Sequence, residues 1–184
     1  RSGWNYLSVD NDAPIINVIQ PVPGYYSNWL PIEVEVTDLP AGVDDSTVVF
    51  RIYHHWLFWD IPDANGTLDN STRPIYTYNV NISGLSENTE YYLGIKASDL
   101  LGHTNDDNWA SIKFGVDHTS PTWPSGAKLT VTSSPYDKDG DVTLSWPVAD
   151  DGLSGIGHYD IYVNGTLWNQ TNVTSFPYTS LPNG

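Results

Sequence analysis

The sequence contains no cysteine and no methionine, and only seven of its 184 residues are lysine or arginine. Without cysteine the chain has neither disulfides nor thiolate zinc sites, so its stability must come from an apolar core. Nucleic acids and anionic lipid headgroups are bound through clustered basic side chains. The formal net charge of −15 therefore argues against both kinds of partner.

Long apolar runs and catalytic motifs are also missing. No apolar run approaches the roughly 18 residues that a membrane-spanning helix needs, and no signal peptide opens the chain at Arg1. We therefore expect no membrane span in this fragment. The sequence has no cysteine nucleophile, no Gly-x-Ser-x-Gly elbow and no phosphate-binding glycine loop, so we expect no enzymatic activity.

What the sequence does contain is alternation of apolar and polar residues. In the run from Ile32 to Val36, three aliphatic residues share one face and two glutamates the other, which is typical of a half-buried strand. Asn164-Gly165 is a typical type I′ hairpin turn. The chain is predicted to be all-β and antiparallel. Similar runs are Val48–Tyr53, Tyr76–Ile82, Tyr91–Ala97, Ile112–Val116, Lys128–Thr132, Val142–Trp146 and Tyr159–Val163.

An internal repeat predicts the domain organisation. The Val9-Asp10 pair and Pro14 recur as Val116-Asp117 and Pro121, so the two prolines are 107 residues apart. A second match aligns 36–43 with 148–156. We expect residues 1–9 to be the last strand of a preceding module, 10–117 a complete module, and 118–184 a second module that is incomplete at its C-terminal end.

The segment from Leu85 to Tyr91, followed by the segment 95–102, resembles a fibronectin type III repeat or a related bacterial or archaeal immunoglobulin-like repeat. The resemblance implies tandem immunoglobulin-like antiparallel β-sandwiches. In such folds a buried tyrosine at the position of Tyr91 hydrogen-bonds back to the preceding turn, forming a tyrosine corner. The architecture implies little about function, since sandwiches of this type host many roles.

Six Asn-x-Ser/Thr sequons indicate N-linked glycans. Their number exceeds the chance expectation, although polar loop composition is the alternative explanation. Glycosylation would make the protein extracellular and place it at the cell surface. The acceptors are Asn65, Asn70, Asn81, Asn164, Asn169 and Asn172.

Aspartates predict calcium sites where modules meet. The segment from Val9 to Pro14 is similar to the calcium-binding linkers of cadherins. In a sandwich whose strands alternate in direction, the start of strand A and the ends of strands B and F share one pole, and several carboxylates gathered there favour Ca²⁺. Capping of Asx turns is the alternative that needs no metal. The predicted ligands are Asp10, Asp12, Asp38 and Asp99 at the first junction, and Asp117 and Asp150 at the second, where Asp151 also lies.

The segment with Trp56, Phe58 and Trp59 shows no alternation, so it is a candidate contact surface. We expect a structural component of a surface layer, stalk or filament, whose partners are other copies or modules of the same protein. Two alternatives use the aromatic residues to bind a partner. One is an adhesin that recognises a glycan or a neighbouring cell, and the other is an accessory carbohydrate-binding module of a secreted hydrolase.

Overall fold

A computed structural model describes residues 9–54, 60–106, 112–132 and 141–178, with only the backbone course given for 60–64. The chain divides into two compact units, Arg1–His118 and Thr119–Gly184, here called unit 1 and unit 2. The described residues form strands and turns and no helix, so the prediction of an all-β, antiparallel fold is confirmed. Within the same residues, no segment is a helix long and apolar enough to cross a membrane.

The described residues of unit 1 form two sheets. One has the strand order β1-β3-β7-β6, and the other has the order β2-β10-β8-β4-β5 with β9 pairing on β8. All neighbours are antiparallel except β2 and β10, which run parallel. The strands of unit 1 are β1 (Ile15–Gln20), β2 (Tyr25–Tyr26), β3 (Trp29–Thr37), β4 (Val43–His54), β5 (Asp60–Thr67), β6 (Asp69–Thr72), β7 (Ile75–Asn81), β8 (Glu90–Asp99), β9 (Thr104–Asn105) and β10 (Ile112–Val116).

The core of unit 1 lies between these sheets. On β3 every second side chain from Leu30 to Val36 is buried, because successive side chains of a strand point to opposite faces. The facing sheet contributes apolar residues from β4, β8 and β10. Phe50 and Leu93 are no more than 1% exposed, so the described core of unit 1 is sealed from water.

The predicted hydrogen bond of Tyr91 is present at the turn before β8. Tyr91 is 3% exposed, and its hydroxyl accepts from the Ser86 amide at 2.9 Å and donates to the Ser86 carbonyl at 3.2 Å. Its ring stacks on Phe114 with the centroids 5.7 Å apart. One side chain thereby joins the turn to the core.

A second buried tyrosine joins the core to a charged group. The Tyr76 hydroxyl donates to Asp45 at 2.6 Å, and Arg73 contacts the other oxygen of Asp45 at 3.1 Å. Burial, assisted by the hydrogen bond to Asp45 and its charge, raises the pKa of Tyr76 to about 12. Tyr76 is therefore held in its neutral form as a hydrogen-bond donor to Asp45.

Unit 2 has the sheets β11-β12-β15 and β13-β14. Asn164 and Gly165 have φ values of 51° and 79°, and they join β13 to β14 in the predicted hairpin turn. An isolated antiparallel bridge pairs Thr122 with Asp150. The strands are β11 (Thr130–Thr132), β12 (Val142–Ser145), β13 (Tyr159–Val163), β14 (Thr166–Thr171) and β15 (Ser175–Tyr178).

The core of unit 2 is open. A cavity of about 720 Å³ is lined by Trp123, Trp146, Tyr159 and Ile161, among others. The sequence predicts Trp146 within a strand, whereas β12 ends at Ser145 and Trp146 is only half-buried. Its ring packs edge-on against Tyr159 at 5.6 Å, and its shielded indole nitrogen has no hydrogen-bond partner among the described residues.

Candidate site at the acidic pole of unit 1

Strand direction brings several carboxylates to one end of unit 1. The start of β1 pairs with the end of β3 through Ile15 and Thr37, and the end of β8 pairs with the start of β4 through Asp99 and Val43. The loops that follow these ends therefore meet. We call the resulting group the acidic pole, and its members are Asp10, Asp12, Asp38, Asp99 and His103.

Asp99 is the central residue of the acidic pole, and its side chain is 0% exposed. One carboxylate oxygen accepts from the Leu101 amide at 2.9 Å and from the His103 amide at 2.7 Å. The other oxygen lies 2.7 Å from Nδ1 of the His103 ring. Gly102 closes the intervening turn with a φ of 93°, a conformation that glycine adopts readily.

The Asp99–His103 contact shifts the pKa values of both groups. Burial tends to raise the pKa of Asp99, but hydrogen bonds from the His103 ring and from the amides of His103 and Leu101 outweigh it, so the pKa is lowered. For His103 the hydrogen bond to Asp99 is the main cause of a raised pKa, and the charges of Asp99, Asp10 and Asp38 add to it. The pair is therefore most stable as an ion pair.

Two other carboxylates of the acidic pole, those of Asp10 and Asp38, accept hydrogen bonds from turn amides. Asp10 is 7% exposed, and its two oxygens accept from the amides of Asp12 at 3.1 Å and Ala41 at 2.8 Å. Asp38 accepts from the Gly42 amide at 2.9 Å. Burial raises the pKa of Asp38 despite that bond, and the charges of Asp10, Asp99 and Asp12 also raise it. These carboxylates therefore have a structural role with or without a metal.

Three groups of the acidic pole could hold a metal ion. Asp10, Asp99 and His103 each offer a ligand atom, and these atoms lie within 4.8 Å of one another. Ca²⁺ takes six to eight oxygen ligands, whereas a mixed carboxylate and imidazole set suits zinc and other transition metals. The carboxylates are ligands of the kind that calcium takes, whereas the imidazole is not. Calcium at this end of unit 1 therefore stays a prediction.

His103 is a member of the acidic pole that the sequence did not predict. The available signal is its position four residues after Asp99 and directly after Gly102, a spacing that lets a turn return the ring to the carboxylate. Strands are indicated by alternating apolar residues, and the calcium sites by aspartates that follow strands. A lone histidine in a turn does not belong to either pattern.

The residues predicted for a second metal site lie in different units. Asp117 follows β10 in unit 1, is 6% exposed, and donates its amide to the Tyr26 carbonyl at 3.0 Å. It lies at the opposite end of unit 1 from Asp99, because Gly115 pairs with Glu90 at the start of β8. Asp150 belongs to unit 2, where its backbone exchanges two 2.8 Å hydrogen bonds with Thr122.

The other predicted positions concern the surface. The structure exposes all six sequon asparagines, and in one of them the Asn81 side-chain oxygen accepts from the Ser83 hydroxyl at 2.7 Å. Trp56, Phe58 and Trp59 lie outside the described residues, so the predicted contact surface stays a prediction. In comparisons with known proteins, the chain matches no family model and no curated protein.

Proposed function

We propose that the chain is a non-catalytic structural segment of an extracellular cell-surface assembly, made of tandem glycosylated immunoglobulin-like modules. The two-sheet organisation of unit 1, its tyrosine corner and the repeat of strand order in unit 2 support an immunoglobulin-like interpretation. The partners proposed are other copies or modules of the same surface protein. Folded β units of this kind act as spacers that set distances between their neighbours.

The exposure of all six sequon asparagines is the observation that carries this proposal. An N-linked glycan is bulky and hydrophilic, so it is compatible with a folded domain only at a solvated position. Three of the acceptors, Asn65, Asn70 and Asn81, lie in strands of unit 1, and Asn164 and Asn169 lie in the hairpin of unit 2. Each could carry a glycan without disturbing a buried side chain.

Intact-mass spectrometry of the protein from its native source tests the proposal. We expect masses above the polypeptide mass that fall when N-glycans are removed enzymatically, and glycopeptides that include the exposed sequons. Asn81→Gln removes one acceptor, and Asn79→Gln in the same strand is the matched control because Asn79 starts no sequon. A native protein with the unmodified polypeptide mass would contradict an N-glycosylated surface role.

We further propose that Ca²⁺ binds the carboxylates of the acidic pole and stiffens that end of unit 1. Thermal unfolding in chelator and after Ca²⁺ addition tests this, since an ion at 100 times its Kd stabilises a protein by about 2.7 kcal/mol. Asp12→Asn should reduce the response, and Asp69→Asn, which lies in exposed β6, is the control. An unchanged unfolding temperature would contradict calcium binding and leave the turn-capping role. A response to Zn²⁺ alone that is lost in His103→Gln would assign the site to a transition metal.

A further inference from the structure

The sequon asparagine Asn81 lies directly opposite an exposed tryptophan. In the antiparallel pair of β3 and β7, Trp29 is the register partner of Asn81. Next to this pair, the Ile82 amide donates to the Asn28 carbonyl at 2.9 Å. That bond makes Trp29 and Asn81 a non-hydrogen-bonded pair, the kind in which opposing side chains are closest, with Cβ atoms about 4.5–5.5 Å apart.

Both side chains project from the outer face of their sheet. Leu30 and Val80, the next pair along the register, are buried in the core, and successive side chains of a strand point to opposite faces. Trp29 is 55% exposed, and Asn81 is also exposed. The Trp29 indole therefore presents a large apolar surface to solvent beside a glycan acceptor.

Hydrogen bonds hold the Asn81 side chain through its oxygen. That oxygen accepts from the Ser83 amide at 3.0 Å and from the Ser83 hydroxyl at 2.7 Å, and Ser83 is the third residue of the same sequon. An N-linked sugar is attached to the side-chain nitrogen Nδ2, which these two bonds do not use. Asn81 can therefore carry a sugar without losing either bond.

A sugar ring and an indole have complementary faces. The face of an aromatic ring carries partial negative charge and covers a large apolar area. A pyranose ring presents C–H groups on its faces and hydroxyl groups around its rim, so it can cover an indole while its hydroxyls stay in water. Two other sequon asparagines have register partners that are not aromatic. Asn65 pairs with Arg51, and Asn169 pairs with Ile161.

We propose that the first sugar of an N-linked glycan on Asn81 stacks on the indole face of Trp29. Trp29 is then a positioning residue for the glycan, which it holds against the outer face of the sheet β1-β3-β7-β6. The stacked sugar shields the indole from water and thereby stabilises the pairing of β3 with β7. The inference rests on the proposed function, because it requires that the sequon carries a glycan.

Nuclear Overhauser contacts in the full 184-residue chain, made with its native N-glycans, test the geometry. We expect contacts between the indole protons of Trp29 and the ring protons of the sugar on Asn81. Trp29→Leu keeps an apolar side chain at this position but removes the aromatic face, and we expect these contacts to be absent from it.

A double-mutant cycle measures the energetic coupling between Trp29 and the glycan. We expect Asn81→Gln to raise the unfolding equilibrium constant of unit 1 at least about twofold more when Trp29 is present than in the Trp29→Leu background, as for groups in direct contact. The same four chains made without glycans are the matched control, and we expect less coupling among them. Loss of the hydrogen bonds to Ser83 is common to both backgrounds, so it cancels in the cycle.

The outcomes separate the stacking from the proposed function. A glycan on Asn81 without contact to Trp29, or equal coupling in chains with and without glycans, would overturn the stacking and leave the surface role intact. Glycopeptides with sugar at other sequons but not at Asn81 would have the same consequence. The absence of sugar from every sequon would contradict the proposed function itself, and the stacking with it.

Discussion

The described parts of units 1 and 2 share part of their strand order but differ in how well their cores exclude water. In unit 1, Leu30, Phe50 and Leu93 are exposed by 1% or less, whereas the least exposed apolar side chains that the structure describes in unit 2 keep 7–9% of their surface. Both units have apolar residues at alternate strand positions. The comparison indicates that alternation alone does not seal a sandwich, and that each sheet also needs enough strands to cover the other.

The largest expected effect comes from a matched pair of core truncations, one in each unit, which compares the packing of the two cores. Ile52→Ala should destabilise unit 1 by about 2–5 kcal/mol, because it leaves a cavity in a close-packed core. Ile161→Ala should cost unit 2 less, because that side chain already borders an open cavity. Urea unfolding of the full chain, followed through resonances assigned to each unit, measures both. Equal losses would contradict the contrast between a sealed and an open core.

A glycine in the sheet of unit 1 provides the next largest effect. A Cβ at Gly115 would lie 2.6 Å from the Tyr25 ring, so Gly115→Ala must displace that ring from the β2–β10 pair. We expect a loss of about 1–3 kcal/mol, typical of overpacking. Gly157→Ala in unit 2 is the control, since a Cβ there meets nothing within 4 Å. If Gly115→Ala left the stability of unit 1 unchanged, the pairing of β2 with β10 would not contribute to that stability.

The tyrosine corner should contribute less. Tyr91→Phe keeps the ring in the core but removes both hydrogen bonds to Ser86, and we expect unit 1 to lose about 1 kcal/mol. Tyr78→Phe in the same unit is the control, because Tyr78 is 45% exposed. Denaturant midpoints of the two variants provide the measurement. Equal midpoints for Tyr91→Phe and the unmodified chain would show that the tyrosine corner does not stabilise unit 1.

The smallest expected effect is a pH dependence of unit 1 in the presence of chelator. The pKa of His103 is raised above 6.5 in the folded state. Its contribution to the stability of unit 1 is therefore complete below pH 6.5 and is lost as the pH rises through the folded pKa. The lowered pKa of Asp99 has the opposite effect. Its contribution to the stability of unit 1 is complete above pH 3.8 and is lost as the pH falls through the folded pKa. The raised pKa of Asp38 has an effect of opposite sign in acid and partly cancels that of Asp99. The loss of stability at alkaline pH is therefore easier to observe than the loss in acid.

His103→Gln should remove the alkaline loss of stability from unit 1. His158→Gln in unit 2 is the control, because His158 and Asp160 are 3.3 Å apart at the surface, where ion pairs contribute little. Unfolding temperatures between pH 6 and 9 measure the effect. A decline that is identical in the His103→Gln variant would contradict the assignment.

Alternation in the sequence predicts most of the longer strands, although it misses β1 and also marks β11, which is exposed at all three residues. Each of the alternating runs, from Ile32–Val36 to Tyr159–Val163, overlaps a strand of the structure. Strands β2, β6 and β9 are not predicted, since they are short or exposed along their length and no alternation marks them. These strands are held by backbone hydrogen bonds to a neighbouring strand. Such bonds do not require alternation of apolar and polar side chains in the sequence.

The acidic pole could be predicted only in part. The alternation of strand direction is sufficient to bring Asp10, Asp38 and Asp99 to one end of unit 1. The hydrogen bonds that each carboxylate accepts depend on turn conformation, which residue type constrains weakly. His103 was missed for the same reason. Outside the acidic pole, Asp45 contacts Tyr76 and Arg73, and no local sequence pattern indicates these contacts.

The most direct test of the central contrast is native-state hydrogen exchange of the full chain without any added ligand. We expect the slowest amides of β4 and β8 to exchange only through global unfolding of unit 1, and those of β12 and β13 to exchange at least about tenfold faster through smaller openings. Equal protection of the slowest amides in the two units would contradict the account, because it would mean that unit 2 is as well sealed as unit 1.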